Sequence, residues 1–163
     1  MCNKTENNAP LAYACREAST WCCKDGFIFL PRVEYEAIIA YLVEKPDALA
    51  DFSSRIIDHG DFLLYDQKTR CQFLRENETC ELFSLGIRPT ECFWWPAHVY
   101  LDDRGELEIR VSKCCTACKY IESGSDFLAK VEVQARAIGL PLLTKFRRIH
   151  SYDVSYEVAK KIQ

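Results

Sequence analysis

The chain has 163 residues, a formal net charge of −3 and 48 % hydrophobic residues, enough for one domain with a sizeable core. Its strongest basic stretch is only Lys145, Arg147 and Arg148, too short to mark a nucleic-acid surface. Its longest apolar run, Ile38 to Val43, is far short of the ~20 residues that cross a bilayer. Neither a nucleic-acid nor a membrane partner is expected. The polar start, Met1 to Asn8, lacks the apolar segment of a signal peptide, so a cytoplasmic location is expected.

Residues 1–14 read as a flexible lead-in and 15–163 as a single domain. Pro31 suits a first helical turn. Val33, Ala37, Ile38, Tyr41 and Leu42 then form one apolar stripe of a helix that Pro46 ends. A second helix is expected over 47–58, with Leu49, Phe52, Ile56 and Ile57 inward and Gly60 as its stop. Residues 62–66 read as a short strand. Leu107, Ile109 and Val111 alternate with Glu106, Glu108 and Arg110, the period of a half-buried strand. The turn residues 102–105 pair it with 98–101 as a hairpin. A third helix is expected over 125–138, with Phe127, Leu128, Val131, Ala135 and Ile138 inward and Gly139 and Pro141 closing it. A further helix is expected near the end of 142–163. Helices and a hairpin without repeated βαβ units predict an α+β fold, with cysteine-bearing loops wrapped around a metal centre.

Ten residues are cysteine, and nine fall into three groups: Cys15 with Cys22 and Cys23; Cys71, Cys80 and Cys92; Cys114, Cys115 and Cys118. Thiols in a reducing compartment point to metal ligation rather than disulfides. Thiolate is the soft donor preferred by zinc and by iron–sulfur clusters. The supply suffices for two four-cysteine sites, with Cys2 left over. Only Cys115-x2-Cys118 fits a zinc-ribbon knuckle, and no ferredoxin run or radical S-adenosylmethionine triplet is present. Adjacent cysteines point apart on a helix or a strand, so one of each pair is expected to ligate and the other to pack. Arg88-Pro89 has two readings: a proline that fixes the turn carrying Cys92, or an arginine that hydrogen-bonds near the centre. Trp21, Trp94 and Trp95 read mainly as core, and His98 as a conceivable nitrogen donor.

The glycines never cluster into a dinucleotide or phosphate loop, and no His-Glu-x-x-His occurs. Nucleotide and zincin chemistry are not expected.

The pattern from Cys15 to Cys118 resembles the CxxCxxCC cysteine-cluster family (YkgJ-type zinc- or iron-chelating domains), whose wider circle includes the flagellin lysine N-methylases. The likeness is carried by Cys15…Cys22-Cys23 before Phe27-Ile-Phe-Leu30. It continues in Cys71-Gln-Phe-Leu74, Cys80, Arg88-Pro89 and Cys92…Pro96, and in Asp103 to Ser112 ahead of Cys114. The family's opening motif has a further cysteine between its first and its double cysteine; here none lies between Cys15 and Cys22. Either Cys114, Cys115 or Cys118 supplies the missing donor, or one centre is lost. By position, Cys22, Cys23, Cys71, Cys80 and Cys92 are the first ligand candidates, followed by Cys15 and Cys118. The resemblance implies a metal-binding protein with an iron–sulfur cluster or, failing that, zinc. Alternatives are a lysine N-methyltransferase-like enzyme using S-adenosylmethionine and a structural, zinc-stapled interaction module. The partner expected is a protein substrate or a redox partner.

Overall fold

The structure, a computed structural model, describes residues 21–113, 115, 118, 121, 126–150 and 156–162. The lead-in expected over 1–14 lies outside the described residues. The fold is α+β: among the described residues, six helices and two three-stranded antiparallel sheets. Contacts group the chain into two compact units, one of them Trp21–Phe93, the other containing Trp94–Gln163.

The first unit opens with a 3-10 turn, Trp21–Cys23, and strand β1, Phe27–Pro31. Gly26, at φ +100°, adopts a backbone conformation that favours glycine and links the two. Helix α1 is Arg32–Leu42, with Pro31 as the flanking residue, and helix α2 is Pro46–Ser54, with proline in its first turn. Strands β2, Ile56–Asp58, and β3, Phe62–Asp66, follow. The sheet order is β1-β3-β2. Central β3 buries Phe62, Leu63, Leu64 and Tyr65 in succession, so it shows no alternation.

Two expectations need correction here. The second helix stops at Ser54, because Ile56-Ile57-Asp58 pairs with Tyr65, Leu64 and Leu63. β-branched residues suit a strand better than a last helical turn, and Ile57 on this edge is 44 % exposed rather than inward. Val33 is 71 % exposed; the buried stripe of α1 begins at Ile38 and ends at Leu42. The core of the unit joins Leu30, Ile38, Leu42, Phe52, Leu63, Tyr65, Phe73 and Leu82, with Cys71 and Cys80 packed against it. Two short helices, α3 (Glu81–Ser84) and α4 (Thr90–Trp94), complete this stretch.

In the second unit the expected hairpin forms from β4, Ala97–Leu101, and β5, Leu107–Ser112. Asp102 holds the turn: its Oδ1 accepts the N–H of Arg104 at 2.9 Å and of Glu106 at 2.8 Å. Leu107 and Ile109 are buried as expected, but Glu108 is buried too, 1 % exposed. Helix α5 is Asp126–Ile138, burying Leu128, Val131 and Ala135. Gly139, at φ +108°, ends α5 and caps α6, Leu140–Ile149, whose first turn holds Pro141. The chain's last described element is a strand, β6, Tyr156–Lys161, rather than a helix. Its register sets Lys161 against Glu108, and Lys161 Nζ lies 2.6 Å from both Glu108 and Asp102. Pairing to β5 and these ion pairs override its weak local preference.

Candidate metal centre

Four cysteines from separate segments of the first unit converge on one space. A cavity of about 30 Å³ is lined by Cys23, Cys71, Cys80 and Cys92, by Arg88 and Pro89, and by an apolar shell that includes Leu30, Ile38, Phe52, Tyr65, Phe73 and Leu82. Each cysteine is placed by local bonding. The Cys71 N–H donates to the Cys23 carbonyl at 2.7 Å, and the Gln67 N–H to the Gly26 carbonyl at 3.0 Å, so the end of the β1–β3 ribbon brings Cys23 and Cys71 together. The loop from Cys71 doubles back through an antiparallel bridge between Leu74 and Cys80, reinforced by Glu81 N–H to the Phe73 carbonyl at 2.8 Å. That return sets Cys80 beside the same core.

Cys92 is placed by α4. The buried Glu91 carboxylate accepts the Phe29 N–H at 2.6 Å, and Glu34 on α1 accepts the N–H of Thr90 at 3.1 Å together with its hydroxyl. Burial pushes the Glu34 carboxyl up, opposed by the bonds from Thr90. Sequence reading missed both carboxylates; Glu91 stands beside Cys92, but nothing in its spacing announces a backbone anchor. The Cys92 N–H donates to the Pro89 carbonyl at 3.0 Å, and Arg88 donates to the Cys92 carbonyl at 2.5 Å, so both residues of Arg88-Pro89 hold the backbone of Cys92.

The thiols differ electrostatically. A hydrogen bond from Cys22 holds Cys23 down to about 7; burial opposes it, and the charges of Arg88, Lys24 and Arg70 assist. Of the adjacent pair, Cys23 lines the cavity and Cys22 hydrogen-bonds to it. Burial pushes Cys71 up to about 11, against the Phe73 N–H and with help from Cys23 and Cys80. The Tyr65 hydroxyl, which accepts the Gln72 N–H at 3.1 Å, also bonds Cys71. Burial likewise raises the Cys92 thiol well above its ordinary value, with Arg88 opposing. Thiols raised by burial are those a bound cation would ionise.

The remaining candidates lie elsewhere. Cys115 and Cys118 belong to the second unit, joined as a turn by Cys118 N–H to the Cys115 carbonyl at 3.0 Å. Cys15 and Cys114 lie outside the described residues. No disulfide joins the described cysteines to one another. Trp94 is fully buried and donates Nε1–H to Gln134 at 3.0 Å, the core role expected. His98 is buried on β4, edge-on to Trp95 and Tyr156. His59 directly follows β2 and stacks on Phe62.

Soft donor chemistry fits a thiophilic metal. Among the described residues, however, no group of three or more His, Cys, Asp or Glu side chains is already set as a ligand sphere. No family model, curated protein or solved structure matches the chain.

Proposed function

We propose that this is a metal-binding protein whose first unit holds a cysteine-ligated centre through Cys23, Cys71, Cys80 and Cys92. The observation that carries this reading is the convergence of four thiols from distant segments on one small cavity. Nothing in a purely structural core calls for four cysteines and an arginine at one point, since buried thiols otherwise pack singly as small apolar groups.

Four thiols at one point suit an iron–sulfur cluster, the centre first expected, and equally a single zinc ion. A closed four-thiolate zinc site is structural, holding loops that lack regular structure. An iron–sulfur centre would supply one-electron chemistry. The likeness of the Cys71…Pro96 block to the zinc- or iron-chelating family agrees with either. Methyl transfer with S-adenosylmethionine rests on the resemblance of the 103–112 hairpin and the following Cys114.

Among the described residues no helix is long and apolar enough to cross a membrane. A cytoplasmic, reducing compartment is part of the proposal, because it keeps thiolates available. Metal analysis and acid-labile sulfide in oxygen-free protein test the reading. Stoichiometric zinc without sulfide supports the single ion, iron with sulfide the cluster, and neither metal refutes both.

A further inference from the structure

Among the described residues, Arg88 is the one cation that lines the thiol cavity, and its surroundings are unusual for an arginine. It is half-buried, donates to the Cys92 carbonyl at 2.5 Å, and its guanidinium lies 4.9 Å from the Phe93 ring centre and 5.9 Å from that of Phe83. Those rings stand 6.2 Å apart and are themselves exposed, 57 % for Phe83 and 39 % for Phe93. They lie against the guanidinium, and Arg88 lines the cavity together with the four cysteines. Among the described residues, no carboxylate pairs with it.

A guanidinium cannot lose its proton in a protein, and a charge withdrawn from water needs a counter-charge. The other cations near Cys23 have partners of their own. Lys24 pairs with Glu78 at 3.1 Å, and Arg70 donates to the Leu74 and Arg75 carbonyls at 3.1 and 2.9 Å. For Arg88, the groups on the cavity wall that can become anions are the cysteine thiols.

Resting on the four-thiol reading above, we infer that Arg88 is the built-in counter-ion of a net-negative thiolate centre, and so the positioning residue that lets four sulfurs share one divalent ion. Each ligating thiol releases its proton to solvent on binding. Four thiolates around a divalent cation leave a dianion, and one fixed guanidinium halves that charge. The aromatic pair serves as its outer clamp, by cation–π contact.

The test titrates the full chain with cobalt(II) under reducing conditions, for wild type, Arg88→Gln and Arg88→Lys. Expected for Arg88→Gln are unchanged sulfur-to-cobalt absorption bands, affinity at pH 7 lower by about 10- to 100-fold, and a pH midpoint of cobalt uptake moved upward. Arg88→Lys, which keeps the charge, recovers part of both. Affinity and midpoint equal to wild type in Arg88→Gln overturn the inference. Should wild type take no cobalt, the metal reading fails by itself. The counter-ion role is then read from iodoacetamide labelling of the metal-free thiols at pH 7: slower labelling in Arg88→Gln supports it, and equal rates overturn it.

Discussion

Replacing Phe52 by alanine removes the ring on which the first unit's core and its thiol cavity both lean. Phe52 is fully buried, and its ring centre lies 5.9 Å from Tyr35, 5.1 Å from Tyr65 and 5.6 Å from Phe73. Truncating a buried phenylalanine costs about 3–5 kcal/mol. Aromatic pairs add about 0.5–1.5 kcal/mol each beyond area burial, so three partners place this site at the upper end. Against a total stability of about 5–15 kcal/mol, most of the margin goes. Urea unfolding followed by circular dichroism reads the effect. With a slope of about 1–3 kcal/mol per molar, the midpoint falls by more than about 1 M. Val33→Ala, at a position 71 % exposed, is the control and stays within about 0.5 kcal/mol of wild type. A Phe52→Ala midpoint no lower than that of Val33→Ala refutes the packing described here.

Saturating zinc raises the thermal midpoint of the reduced protein, by about 2.7 kcal/mol of stability at a hundredfold excess over Kd; Cys80→Ser loses that gain, which differential scanning fluorimetry measures. Acid sensitivity is read by urea titration between pH 2 and 5. A hydrogen bond from Lys161 holds Asp102 down to about 2, and Glu108 is also lowered: burial opposes, but Lys161 and Arg110 outweigh it. The unfolded carboxylates take up protons first, near pH 4. The contribution is therefore present above about pH 4 and lost as pH falls through the folded values; Glu108→Gln flattens this dependence. Asp58→Asn breaks the exposed pair with Arg32 at 2.7 Å and shifts the urea midpoint by an amount matching about 0–1 kcal/mol.

The hairpin over 97–112 was legible because its information is local: alternation along β5 and a turn held by the Asp102 side chain. Helix α5 was legible for the same reason, its period being read within its own residues. The misread stretches are those whose partner is remote. Ile56 and Ile57 continue a helical pattern, but β3 offers them hydrogen bonds. Tyr156–Lys161 carries few strand formers and is held by β5 across the sheet. Val33 fits the helical stripe, yet it is 71 % exposed, while Tyr35 of the same turn stacks on Phe52 of the core.

For the site, chemistry was more informative than spacing. Cys23, Cys71, Cys80 and Cys92 share no short motif, and their common destination followed from what thiols do rather than from where they stand. The supporting side chains were not legible. Tyr65 reads as one more core aromatic, and Glu34 as one more acid in a first helical turn. Their roles depend on which backbone N–H or sulfur the fold brings to them.

The most direct measurement is metal content per chain in protein purified without oxygen, for wild type, Cys92→Ser and Cys2→Ser. The account predicts one metal centre in wild type and in Cys2→Ser and its loss in Cys92→Ser. Wild-type protein without stoichiometric metal, or Cys92→Ser that retains it, contradicts the centre proposed for these four thiols.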